Sequence, residues 1–422
     1  MIRSFEYSNV GETYKSAVLS NGLEIRVVEK PGFYTKFASF SVKYGGSDRN
    51  FLLEGTRHET PAGIAHFLEH KMFDMPDGSN VFSVMTANSA DLNAFTSPGM
   101  TCYYFHCTEH FAENLRLLLS LVTTPYFTPE TVDKERPIIA QEIRMSLDDP
   151  DETLYYNFMK LLYSRHPIRD DIGGTEESIG KIDAELLNLC HRTFYCPGNM
   201  VLSVEGDIRA EEVVALAEEV LFRWESRPVP LPDYGGDDGP FPVSPEIRVR
   251  GSVSAPQFII GSKILPPEGD FSRQQLTAKL AVQILFGRSS SFYSRLYSDG
   301  LINRSFGTDV DYVSGTAMVS LSGESHDPDA VLKEIGWEIR KLAESGLDRT
   351  LFARIKKASI GGALRSFEDF DSVCLSLTEG QFYGFCPFDG PAILDSITID
   401  ECTSFLLEHF APERLALSIL HP

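Results

Sequence analysis

An α+β fold of two related domains follows from three features of the sequence: its length, one long break in regular structure near the middle, and a similar order of strands and helices on either side of it. At 422 residues the chain exceeds what one compact core organises, and two domains of roughly 200 residues each are expected. The break lies at 226–245, SRPVPLPDYGGDDGPFPVSP, whose prolines and glycines forbid regular structure. It reads as an extended linker between a first domain at 1–225 and a second at 246–422.

Within the first domain, residues 23–28 and 37–44 alternate as strands, the first opened by the turn pair Asn21-Gly22. Helical periodicity follows at 63–73, 109–123, 129–146 and 210–222, with a further strand at 199–205 that ends at Gly206. The second domain repeats the order loosely: strand 257–262, helix 272–286, strand 316–322, helix 329–345, then helices 349–366 and 399–410 and a closing strand at 415–420. Matching order points to duplication. Each domain is expected as a mostly antiparallel sheet with helices on one face.

Composition narrows the function. With 60 acidic against 38 basic residues the formal charge is -22, which repels phosphate backbones and argues against nucleic acid as a partner. No stretch approaches the roughly 18 apolar residues of a membrane span, and the start has neither a secretory nor an Arg-rich transit pattern. A cytoplasmic protein without a membrane partner is expected. The seven cysteines, Cys102, Cys107, Cys190, Cys196, Cys374, Cys386 and Cys402, are odd in number and contain no C-x-x-C pair. They read as reduced, mostly buried thiols, and a cysteine-built zinc site is not expected.

The chemistry concentrates in ETPAGIAHFLEHKMFD, residues 59–74. Thr60 is placed to cap a helix and Pro61 to occupy its first position. Further along, His66 and His70 are four apart and project from one face, with Glu69 beside them. This is H-x-x-E-H, the inverted zincin motif. Two imidazoles at that spacing can chelate one zinc ion, while a carboxylate one turn away reaches the attacking water. A catalytic zinc also needs a third protein ligand and an open position. The segment 128–150, TPETVDKERPIIAQEIRMSLDDP, carries Glu135 and Glu142 two helical turns apart, with Pro137 expected to kink the helix between them. On periodicity alone either carboxylate could be that ligand.

These residues carry a family resemblance. LSNGLEIRVVEK, GGSDRN, GIAHFLEHKMF, DLNAFTSPGMTCYYF, KERPIIAQEIRMSLDDP and PGNMVLSVEGDI together resemble the M16 (pitrilysin-like) metallopeptidases, in the branch that includes mitochondrial processing peptidase and the YmfH-like proteins of Gram-positive bacteria. The resemblance implies two related α/β domains of LuxS/MPP-like architecture enclosing a cavity, with the metal in the first domain only. It makes Glu142 the third zinc ligand and adds Glu135 to the catalytic set as a carboxylate that orients a ligand or water. It also makes Asn93 and Ala94 part of an N-A-x-T strand that offers backbone pairing to a peptide. His106, His110, His326, His409 and His421 stand apart from any motif and read as structural or surface residues.

One segment departs from the family. Members of it grip the substrate backbone through an Arg and a Tyr of the second domain, whereas SSSFYSRLYSDGLINRSFGTD, 289–309, holds Phe306 at the Tyr place, and Arg295 and Arg304 miss the Arg spacing. Phe306 cannot donate the hydrogen bond of a tyrosine hydroxyl. Since some family members divide zinc and the Arg-Tyr pair between two subunits, the expected activity is a zinc metalloendopeptidase for unstructured peptides, the catalytic subunit of a heterodimer with a metal-free homologue. A homodimeric or non-catalytic peptide-binding protein is the alternative. The family also makes ribosomal peptide precursors with leaders a candidate substrate.

Overall fold

Strand alternation in the sequence becomes two main sheets. The computed structural model describes residues 1–76, 81–236, 238–265, 269–313 and 315–422; position 237 of the expected linker lies outside them. The first sheet runs Ile2–Tyr7, Glu12–Val18, Glu24–Glu29, Met200–Gly206, Lys36–Val42, Thr101–Cys107, Ala90–Thr96. Neighbours are antiparallel except Glu24–Glu29 beside Met200–Gly206. The second runs Glu246–Arg250, Ala416–His421, Gln257–Ile264, Thr316–Glu324, Gly307–Val313, with its first pair parallel and the rest antiparallel. These five strands reproduce the last five of the first sheet neighbour for neighbour, parallel pair included. The duplication is therefore visible as topology, where residue identity is too weak to show it. A small third sheet joins Leu231–Pro232, Asn50–Leu53 and Thr56–Glu59.

The chain forms two compact units, and neither is one continuous segment. The first comprises 1–143, 171–234 and 364–389; the second comprises 144–170, 235–363 and 390–422. The passage at 234–235 falls inside the expected linker, but each unit also holds a helix from the other half of the sequence. In the first unit, Phe111–Thr123 and Ala210–Leu221 cover one sheet face over a core that includes Phe40, Leu202, Tyr103 and Phe105. The opposite face receives Phe370–Tyr383, packed on Met200–Gly206 and Lys36–Val42. Small side chains admit it: Ser39, Ser41, Ser203 and Cys102 are buried and share that face by register, and the Ser203 and Thr378 hydroxyls lie 2.8 Å apart. In the second unit, Pro150–Leu162 packs on Ala416–His421 and Gln257–Ile264, and the Ser418 hydroxyl donates to the Leu154 carbonyl at 3.1 Å. All seven cysteines are free thiols, six of them buried. Among the described residues no helix is long and apolar enough to cross a membrane.

Candidate metal centre

The helix carrying the motif starts later than its sequence signals predict. It spans Ile64–Lys71 with Gly63 at the N-cap and no side-chain cap, so Thr60 is not the cap and Pro61 is not the first helical residue. Thr60 is instead buried, its backbone N–H and hydroxyl both donating to the Arg49 carbonyl. That commitment removes it from the helix end. Gly63 takes over because the turn there requires φ 90°, and a Cβ would stand 2.5 Å from the Gly173 carbonyl oxygen. Ile64, Ala65, Phe67 and Leu68 anchor the helix in the core, which leaves His66 and His70 on the opposite side.

The helix Pro129–Asp148 supplies the carboxylates and continues through Pro137. Glu135 and Glu142 share its inward stripe, but they meet the histidines differently. Glu135 Oε1 lies 3.0 Å from His70 Nδ1. Glu142 Oε2 faces the other nitrogens, 3.4 Å from His70 Nε2 and 3.9 Å from His66 Nε2. His66, His70 and Glu142 each offer one donor atom, and all three atoms lie within 4.8 Å of one another. Burial pushes the His66 imidazole down to about 4, helped by the neighbouring His70 and opposed by Glu135; it is neutral near pH 7, as a metal ligand must be. His70 moves the other way. Burial lowers it, but the Glu135 hydrogen bond and the carboxylates of Glu142 and Glu69 outweigh that and raise it. The same bond holds the Glu135 carboxyl below its usual range, against the cost of burial.

A zinc ion fits these donors. Ligands at roughly 2.0–2.1 Å from a tetrahedral zinc stand about 3.3–3.4 Å apart, close to the separations of Glu142 from the two imidazoles. Because Nδ1 of His70 is committed to Glu135, its Nε2 is the nitrogen left for a metal. His66 Nδ1 is buried with no hydrogen-bond partner among the described residues, while its Nε2 faces Glu142. Among the described residues these three donors would leave a fourth position on a tetrahedral ion, the pattern of catalytic rather than structural zinc.

Glu69 lies beside the set at 8% exposure. Burial raises its carboxyl pKa, against the lowering effect of a hydrogen bond from Thr96. Thr96 Oγ1 donates to Glu69 Oε2 at 2.6 Å. Thr96 ends the strand Ala90–Thr96, which is last in the sheet order and, among the described residues, has a strand neighbour on one side only. Asn93 and Ala94 lie in mid-strand, and Asn93 Oδ1 accepts from the Ala94 backbone N–H at 2.8 Å.

Sequence reasoning assigned Thr96 no separate role and left GGSDRN as resemblance alone; the two are connected. The turn at 45–48 donates from Gly46 N–H to Ser97 O and from Ser47 N–H to Pro98 O, clamping the hairpin that Thr96 enters. A Cβ on Gly45 would come within 2.3 Å of Ser97 O. Asp48 holds this turn through Gly45 N–H and accepts from the Tyr234 hydroxyl, both at 2.8 Å. Burial pushes its carboxyl up to about 7. A folded-state value above the unfolded ~3.9 gives stability that is complete below the unfolded pKa and is lost as pH rises through about 7. Asp48→Asn keeps one acceptor for Gly45 and offers a donor to Tyr234, so its melting temperature should exceed wild type by more at pH 8 than at pH 5. Parallel melting series at the two pH values check this.

The second unit contributes no comparable group among its described residues. Phe306 is 2% exposed in the core with Phe258, Phe292 and Tyr293. Arg295 is held by Glu334 at 2.5 Å and lies over the Trp337 ring, while Arg304 is exposed. Of the remaining histidines, His409 is buried and His106 pairs with Asp371 at 2.6 Å.

Comparison with known proteins shows the family. Residues 52–176 match the family described as insulinase (peptidase family M16), and 181–359 match the peptidase M16 inactive domain. The uncharacterized zinc protease YmfH of Bacillus subtilis is 33% identical over the full length of both chains. The chain belongs to the M16 peptidase family. A crystal structure described as an M16-like peptidase from Alicyclobacillus acidocaldarius superposes with a TM-score of 0.92 at 31% identity, covering 97% of this chain and 98% of the other. A protease from Helicobacter pylori, 18% identical, superposes with a TM-score of 0.85 over 97% and 100% of the two chains and shares the fold. The inactive-domain match includes much of the sequence that lacks an H-x-x-E-H motif.

Proposed function

We propose that this M16 chain is a zinc-dependent endopeptidase for unstructured peptides, with His66, His70 and Glu142 holding the metal and Glu69 as general base. The observation that carries the reading is the convergence of His66 Nε2, His70 Nε2 and Glu142 Oε2 beside a buried carboxylate. Zinc bound there would polarise the scissile carbonyl and acidify the attacking water. The rest is the work of the chain. Ala90–Thr96 pairs with an extended peptide through its open edge, around Asn93 and Ala94, and so excludes folded substrates. Glu135 fixes the His70 ring from Nδ1. Glu69 takes a proton from the attacking water and delivers it to the leaving amine.

Phe306, buried in its core, and Arg295, engaged by Glu334, support a second part of the reading: the chain is the zinc-bearing subunit, and a metal-free homologue brings the missing Arg-Tyr pair. Ribosomal peptide precursors with leaders belong to the substrate class, and a cytoplasmic setting suits free thiols. The test is cleavage of a mixed unstructured-peptide library by the zinc-loaded chain, alone and mixed with a metal-free M16 homologue encoded nearby. Zinc-dependent cleavage that rises at least about tenfold on mixing is expected, the range that positioning groups supply. A rate unmoved by the homologue would sink the heterodimer, and no cleavage under either condition would sink the peptidase.

A further inference from the structure

Resting on the peptidase reading, we infer that Thr96 is a positioning residue: its hydroxyl, at the end of the substrate-pairing strand, fixes the Glu69 carboxylate for proton transfer. Donor accounting sets the direction of the contact. Thr101 Oγ1, 3.5 Å from Thr96 Oγ1, gives its own proton to the Tyr44 carbonyl at 2.9 Å. Thr101 thus has no proton left for Thr96, and of the two contacts the Thr96 hydroxyl makes, the 2.6 Å one to Glu69 Oε2 is far shorter than the 3.5 Å one to Thr101, so it donates to Glu69. Among the described residues Thr96 is the donor that reaches this carboxylate. The side-chain torsions of a glutamate allow its carboxylate several orientations on a helix, and the bond to Oε2 selects one arrangement and leaves Oε1 for the water.

Thr96 is itself held. It faces Thr101 across the hairpin, and the following turn is closed by Ser97 N–H to Met100 O at 2.8 Å. Gly46 and Ser47 clamp the same turn from outside. One strand thus carries both the edge that seats a peptide and the group that aims the base. Peptide register and base position are set by the same piece of backbone, without a moving part between them.

The experiment compares kcat and KM of zinc-loaded wild type, Thr96→Val and Thr96→Ser, with Glu69→Gln as the inactive baseline. It also measures melting temperatures of the metal-free forms of Thr96→Val in wild-type and Glu69→Ala backgrounds. Valine keeps the shape and removes the donor, so kcat should fall roughly 10- to 100-fold, the scale of a misplaced catalytic group, with KM and zinc content near wild type. Serine restores the hydroxyl and should keep kcat within about threefold. In the metal-free protein, valine should lower the melting temperature where Glu69 is present and not in the Glu69→Ala background. Wild-type kcat in the valine variant, a serine variant as damaged as valine, or an equal melting loss in both backgrounds would each overturn the inference. If wild type cleaves nothing either alone or with the metal-free homologue, the peptidase reading fails separately, and the melting comparison alone decides whether Thr96 holds Glu69.

Discussion

Glu69→Gln should lower kcat by about three orders of magnitude or more while the protein keeps its zinc and its fold. Proton transfer by a placed side chain contributes ~10²–10⁴-fold, and the amide can neither take the proton from water nor return it to the amine. The shape is preserved, and the Gln oxygen can still accept from Thr96 in place of the 2.6 Å bond to Oε2. Metal should be retained, since Glu69 is not among the converging donors. In the metal-free protein, where both forms are to be melted, stability moves in the favourable direction. The Glu69 carboxyl is raised by burial, so in wild type its contribution is lost as pH rises through the folded value, whereas a neutral amide carries no such loss. A variant that melts at or above the wild-type temperature, binds one zinc and cleaves nothing would isolate the base. Near-normal turnover would mean that another group moves the proton.

Much of the centre was legible because helical spacing is a local rule. A spacing of four from His66 to His70 puts their rings on one face in any α-helix, and Glu69 follows from the same geometry. The same rule failed to separate Glu135 from Glu142, since seven residues return to the same face. What separates them is which imidazole nitrogen each carboxylate meets, a property of packing between two helices. Thr96 was illegible as a positioning group for a related reason: its bond to Glu69 joins a strand end to a helix across 27 residues. Thr60-Pro61 misled because the Arg49 carbonyl, out of reach of any local pattern, claims the Thr60 hydroxyl.

The fold shows the same division. Strand alternation and helix periodicity place the elements they identify within a few residues of where they form, as with helix 109–123 predicted against Phe111–Thr123 observed, but Pro150–Leu162 and Phe370–Tyr383 are not among them. The exchange of Pro150–Leu162 and Phe370–Tyr383 between the sheets is different. An amphipathic pattern tells that a helix buries one face, not which sheet receives it. The buried serines of Lys36–Val42 were the available signal: a strand that alternates Phe40 with Ser39 and Ser41, all fully buried, has two covered faces, and the small one admits a helix.

Glu142→Gln and Glu135→Gln should separate cleanly in zinc affinity. Glu142 Oε2 faces Nε2 of both histidines, so replacing its charged oxygen with a neutral amide removes a ligand and most of the negative charge that a divalent cation would meet. Glu135 instead engages His70 Nδ1 at 3.0 Å. Replacing it leaves the donor atoms in place but weakens the hold on the ring and the basicity of the imidazole, a loss of the ~10–100-fold typical for such partners. Competition titration with a zinc chelator should therefore show a modest drop for Glu135→Gln and a drop well beyond that range for Glu142→Gln. Melting of the metal-free forms should rank the other way. Glu135→Gln breaks a half-buried contact that depresses the Glu135 carboxyl and raises His70, whereas Glu142, 44% exposed, gives up little. Reversed zinc affinities would exchange the two roles, and then the nitrogen that His70 presents to the metal would have to be Nδ1.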